Sequence, residues 1–214
     1  MGPVQVRTGP VHSVRRVVAA GVVSAAVALA GAGPAMAAQT APVSVAAARE
    51  AAHARGLTVL TDLFAERLQL ADKVAAAKYG TDRPIDDPAR EKVILDDVAA
   101  RAVGLGLDPA AVQAVFRDQI EANKLVQRGL YARWDAHPEE RPTTRPDLDK
   151  EVRPALNLIT TQILQALQET QAVRASRSCE VRLGIAAVWS AYDHELDLLH
   201  QAGLGRALPS VCSS

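Results

Sequence analysis

Apolar residues recur every three to four positions through most of this chain, and no stretch alternates with the period of two that a half-buried strand requires. The pattern predicts a long first helix from about Ser44 to Lys78, loosened around Gly56, then a loop marked by Gly80 and Pro84. Asp87-Pro88 has the form of an N-cap followed by proline at the first helical position. It opens a second helix that runs to about Val103, where Gly104 and Gly106 supply a stop. Asp108-Pro109 repeats that start for a third helix ending near Ala136. A loop with three prolines follows, from His137 to Asp149. The fourth helix is expected from Lys150 to Thr170, with Pro154 tolerated because it lies in the first turn. One or two more helices fit between Ala175 and Leu204. The expected fold is all-α: a single helical-bundle domain with a long first helix and a C-terminal helical extension.

The apolar stripes are interrupted by polar residues in a consistent way. The first helix reads Leu60, Leu63/Phe64, Arg67, Leu70/Ala71, Val74, Ala77/Lys78, so two cations occupy core-facing positions about three turns apart. The third carries Asn123 and Gln127 in the stripe Val112, Phe116, Ile120, Leu130, Trp134. The second begins with Asp87, Arg90 and Glu91 on one face, and the fourth with Arg153 at the stripe's edge. An isolated cation in a core costs several kcal/mol unless an anion is supplied. Arg67, Lys78, Arg90 and Arg153 against Asp87 and Glu91 leave two positive charges over, room for a small dianion. Two plainer readings stand beside this one. Long cationic side chains lay their stems on a core while the heads reach water, and an i, i+4 amide pair serves helix packing. The residues alone support a charged pocket in a bundle, binding a small anion.

Residues 1–37 are written differently. Arg15 and Arg16 precede an uncharged run of 14 residues, Val17–Ala30, and Ala35-Met36-Ala37 offers small residues where a signal peptidase cuts. That run is short of the ~20 residues a spanning helix needs, so residues 1–37 read as a cleaved export signal. Residues 38–214 would be the mature domain, exported to the periplasm or the medium and free of the membrane. Without that segment 21 basic residues face 24 acidic ones, a net charge of −3. No basic face with stacking aromatics survives, which argues against a nucleic-acid partner. Cys179 and Cys212, the only cysteines, favour one disulfide in an exported chain, worth roughly 3–4 kcal/mol by loop entropy. His194-Glu195 and His200 have the wrong spacing for a zinc site, and no metal is expected. Trp134 and Trp189 fall on helical stripes and are expected in the core.

Taken as a series, Glu66-Arg67-Leu68, Lys78, Ile85 to Glu91, Asp118 to Gln127 and Arg153 resemble the all-helical (AroQ-type) chorismate mutases. The exported gamma subclass, with its signal peptide and cystine-closed C-terminal extension, is the nearest fit, over roughly Leu57 to Cys212. The resemblance implies rearrangement of chorismate to prephenate without a cofactor, in a site built within one chain of a homodimer. It implies that Arg67 and Arg153 hold the two carboxylates, that Lys78 and Gln127 donate to the ether oxygen, and that Glu91, with Asp87 nearby, takes the ring hydroxyl. Arg90 would help close the site and Asn123 would hydrogen-bond a carboxylate. Some exported members carry glutamate where this chain has Gln127; the amide here should hold activity into mildly alkaline pH. Two alternatives stay open on the sequence: an isochorismate–pyruvate lyase of the same fold, and a non-catalytic secreted anion-binding module.

Overall fold

The computed structural model describes residues 45–212; the export-signal reading of residues 1–37 lies outside them. Among the described residues there are helices and turns but no strand. The long first helix, α1 (Val45–Lys78), forms the axle of the domain. Helices α2 (Pro88–Gly104) and α3 (Pro109–Ala136) follow, then a short 3-10 turn at Pro138–Glu140. A π-helical turn, Leu148–Val152, leads into α4 (Arg153–Glu169). The chain finishes with α5 (Gln171–Arg174), α6 (Cys179–Asp193) and α7 (Leu198–Arg206). No helix of the described residues is long and apolar enough to cross a membrane.

α1 packs against α3, α4, α6 and α7, so its middle is covered on more than one side. Leu60, Phe64 and Ala71 are buried on the stripe visible in the sequence, and Leu57, Thr61, Ala65, Leu68 and Ala75 are buried on a second one. Gly56 does not loosen this helix. A Cβ there would meet Thr170 Cγ2 at 2.9 Å, so the glycine admits the end of α4 against a continuous α1. Gly203 does the same for α7: a Cβ would lie 2.9 Å from Val126 and 3.1 Å from Leu68. The buried Thr61 shares a 2.7 Å hydrogen bond with Ser190 of α6, whose hydroxyl donates to Asp62 at 2.6 Å. That chain satisfies the polar atoms which α1 and α6 bury between them.

Both Asp-Pro starts behave as the sequence predicts. Asp87 Oδ1 accepts from the Arg90 N–H and Asp108 Oδ1 from the Ala110 N–H, each at 3.0 Å. Gly106 (φ +66°) turns the chain between α2 and α3 in a conformation that other residues rarely adopt. The fourth helix begins less simply. Pro154 has no N–H to give, and just before it the ladder widens: Val152 N–H reaches Asp147 O and Arg153 N–H reaches Leu148 O.

The C-terminal extension is fastened to the bundle. Cys179, at the start of α6, is bonded to Cys212. Arg174 donates to Val211 O at 3.1 Å, and Asp118 of α3 accepts from both Arg206 and the Ser210 N–H. Trp134 is buried against Tyr79 and Tyr131, as expected. Trp189 is not in the core: it is 58% exposed. α6 turns Leu183, Ala186, Ala187 and Ser190 inward, and position 189 falls on its outer face.

Candidate active site

One cavity of about 690 Å³ opens between α1, α2, α3, the π-helical turn and α4. Its wall includes all eight polar residues singled out in the sequence: Arg67, Lys78, Asp87, Arg90, Glu91, Asn123, Gln127 and Arg153. They come from four helices of a single chain. The wall also holds Arg83, Arg101 and Lys124 among cations and Asp82 and Asp97 among carboxylates. Seven positive groups face four negative ones, a surplus of three rather than the two read from the sequence.

Arg67 is the most constrained of these. It is 6% exposed, and its one side-chain hydrogen bond among the described residues is a long one, Nη1 to Thr160 Oγ1 at 3.4 Å. Its Nε is buried without a partner, and no carboxylate of the described residues pairs with it. The guanidinium carbon lies 6.0 Å over the Phe116 ring. Burial alone pushes its pKa down to about 10, which leaves it charged at neutral pH.

Lys78, about three turns further along α1, donates to Pro84 O at 2.8 Å, which fixes the ammonium with protons to spare. Burial lowers its pKa; Asp87 and Glu91 oppose the shift, while Arg153 and Arg83 add to it. Arg153 pairs with Asp149, one turn earlier on the π-helical turn. Arg90 is half-buried and forms no ion pair with a described residue. Asp87 caps α2 with one oxygen and faces the cavity from that position.

On α3, Gln127 Nε2 donates to Asn123 Oδ1 at 2.7 Å, and Gln127 Oε1 is buried without a partner. The amide pair and the cavity wall are therefore the same feature. Turning both amides by half a rotation exchanges their oxygen and nitrogen positions and leaves the rest of each side chain in place, so the pair can offer a ligand an N–H at either place.

Lys124 was not singled out in the sequence. It is 8% exposed and contacts Glu121, Asp86 (3.2 Å) and Glu91 (3.2 Å). Burial acts to lower its pKa, but the three carboxylates outweigh it and the net shift is upward. The signal was present: Lys124 stands three residues before Gln127, on the same side of α3. Thr160, two turns along α4 from Arg153, was missed for the ordinary reason that one buried threonine in a helix carries no signature.

Known proteins share the sequence pattern and the fold of this chain. The sequence pattern of the family described as chorismate mutase type II matches residues 58–128. The secreted chorismate mutase of Mycolicibacterium smegmatis is 33% identical over 156 residues, 73% of this chain and 86% of the relative. This chain belongs to the chorismate mutase family. The secreted chorismate mutase of Mycobacterium tuberculosis is 31% identical over 158 residues, 74% of this chain and 79% of its own length. Among solved structures, the chorismate mutase from Burkholderia phymatum superposes with a TM-score of 0.73 at 32% identity, covering 76% of this chain and 99% of that one. The all-α fold of this chorismate mutase and its single disulfide, Cys179–Cys212, stand as the sequence suggested.

Proposed function

We propose that chorismate is rearranged to prephenate in the cavity between α1 and α4, each chain holding a complete site. The activity is that of an isomerase, a Claisen-type rearrangement in which one C–O bond breaks and one C–C bond forms within a single substrate. No proton leaves or arrives and no cofactor is needed. Chemistry of this kind asks for two things of the protein. The substrate must be held in a compact reactive conformation, and donors must be fixed where negative charge develops on the ether oxygen.

One observation carries the reading: Arg67, a buried guanidinium with no carboxylate partner among the described residues, in a wall with surplus positive charge. A dianionic guest supplies what this site lacks. In our reading Arg67 and Arg153 take the two carboxylates, since a guanidinium fork matches a planar carboxylate. Arg153 would use the N–H groups that Asp149 leaves free. Lys78 and the Gln127 amide donate to the ether oxygen, Glu91 with Asp87 meets the ring hydroxyl, Asn123 bonds a carboxylate, and Arg90 closes the mouth.

The relatives named secreted chorismate mutase support export of this chain. We read residues 1–37 as the cleaved signal and residues 38–214 as the mature enzyme, released to the periplasm or the medium and associating as a homodimer.

The test is the fall of chorismate absorbance with the purified protein. Lys78→Ala and Gln127→Ala should each lower turnover by about 10²–10³-fold. An unchanged rate in the Lys78 variant would show that the donor is misassigned. Release of pyruvate from isochorismate, with chorismate left intact, would replace the mutase reading by a lyase.

A further inference from the structure

Between the end of α1 and the cap of α2 the chain passes along the cavity as a loop, and Asp82, Arg83, Pro84 and Ile85 form part of the wall. The two ends of this loop are held by local bonds. Thr81 Oγ1 donates to Lys78 O at 2.6 Å, and Asp87 caps α2. Residues 82–86, between them, make no backbone–backbone hydrogen bond among the described residues. Two side-chain ties join this stretch to the helices. One is the Lys78 ammonium, which donates to Pro84 O at 2.8 Å. The other is Asp86. Both of its oxygens accept from Arg128 Nη2 of α3, at 2.7 and 2.8 Å, and Lys124 Nζ lies 3.2 Å from Oδ1.

The first tie cannot fix itself. Lys78 carries its charge on a flexible stem, and a loop carbonyl holds an ammonium only as firmly as the loop is held. Asp86, two residues beyond Pro84 and one before Asp87, supplies that anchorage. The anchor also has a meaningful address. Arg128 is the residue after Gln127, and Lys124 stands one turn earlier on the same helix. Tying the Pro84 carbonyl to this part of α3 places Lys78 and Gln127, the two donors assigned to the ether oxygen, in one frame.

A lone exposed ion pair does little, and Asp86 is exposed. Its pairing, however, belongs to a network. Lys124 is nearly buried and also contacts Glu91 and Glu121, so the loop, the start of α2 and α3 meet at one ammonium. Arg128 foremost, and Lys124 next, hold the Asp86 carboxyl below the usual carboxylate range. Neither Asp86 nor Arg128 lines the cavity, so the pair is placed to hold the wall rather than to touch the substrate.

We propose that Asp86 is a positioning residue of the rearrangement: by clamping the loop between α1 and α2 to Arg128 and Lys124, it sets the Pro84 carbonyl, and through it the Lys78 ammonium, against the Gln127 amide. The proposal rests on the reading of Lys78 as a donor to the ether oxygen.

The test is a double-mutant cycle. Chorismate turnover is measured for the wild type, Asp86→Ala, Lys78→Ala and the double variant, with Arg128→Ala cutting the clamp from its other side. Asp86→Ala should lower kcat about tenfold by misplacing a donor. KM should stay within about twofold, because Arg67 and Arg153 still hold the carboxylates. Arg128→Ala should behave alike, and Asp86→Glu should recover most of the loss. In the Lys78→Ala background, Asp86→Ala should cost nothing further. A lower melting temperature with kcat unchanged would make Asp86 a stabilising residue only and overturn the proposal. Equal losses from Asp86→Ala in both backgrounds would overturn it too, since the effect would not pass through Lys78. Full kcat in Asp86→Ala beside an impaired Lys78→Ala overturns the clamp and leaves the donor reading intact. A fully active Lys78→Ala removes the donor reading, and the clamp with it.

Discussion

Two buried cations near α1 answer the same electrostatic problem in opposite ways. Arg67 and His200 are 6% and 7% exposed. His200, on α7, has both ring nitrogens engaged, Nδ1 with Asp197 at 2.6 Å and Nε2 with Asp72 of α1 at 2.9 Å. The Asp72 hydrogen bond is the largest influence on it; burial opposes, Asp197 assists, and the pKa rises to about 9. Arg67 has no such partner among the described residues, and burial drives its pKa the other way. One cation finds its counter-charge within the protein; in our reading the other finds it in the guest. Burial alone therefore does not mark a binding residue in this fold. Burial without a counter-charge, beside a cavity, is the mark on which our proposal for Arg67 rests.

The largest effect that could break this contrast is at Arg67. Arg67→Met keeps an apolar stem and removes the charge. Chorismate turnover should fall by about 10²-fold, the scale of losing a clamp that holds the substrate in its reactive conformation. The melting temperature should stay level or rise, because an uncompensated buried charge is no longer present. A variant that melts well below the wild type while retaining its turnover would place Arg67 with the structural cations.

Lys124 sharpens the contrast because it belongs to both classes: it lines the cavity, and it is paired. Its contact with Glu91 suggests that it holds that carboxylate in place rather than touching the reacting atoms. Lys124→Met should cost about tenfold in kcat/KM, with Lys124→Arg recovering most of it. Equal activity in the methionine variant would show that Glu91 needs no such support.

The legibility of this chain in its sequence follows the same division. Caps are local chemistry, so Asp87-Pro88 and Asp108-Pro109 announced α2 and α3 nearly to the residue. Arg67, Lys78, Asn123 and Gln127 stood out because each breaks an apolar stripe, and all line the cavity. What escaped notice depends on contacts remote in sequence. Gly56 looked like a loosened helix because Thr170, which approaches it, is more than a hundred residues away. Trp189 looked like core because an apolar stripe does not say which of two faces meets α1. The π-helical turn before Pro154 was read as ordinary helix, since a missing N–H does not specify how the preceding carbonyls are shared. His200 was weighed only as a metal ligand and set aside, while Asp72 lay 128 residues away.

The smallest expected effect tests the complete member of the pair. The folded pKa of His200, about 9, lies above its ordinary value of 6.5. Its contribution to stability is therefore full below pH 6.5 and is lost as the pH rises through about 9. Asp72 and Asp197 have side chains 50% and 52% exposed, so solvent screens much of the attraction. After that discount the contribution is about 1 kcal/mol, a fall of roughly 2–4 °C in melting temperature for a domain of this size. His200→Gln keeps two hydrogen-bonding groups but cannot carry charge. It should melt lower than the wild type at pH 6 and close to it at pH 9.5. Chorismate turnover should be unaffected, because neither His200 nor its two carboxylates lines the cavity. Identical pH profiles of melting for the two proteins would mean that the imidazolium adds nothing beyond its hydrogen bonds. The contrast with Arg67 would then be one of geometry, with no part for charge.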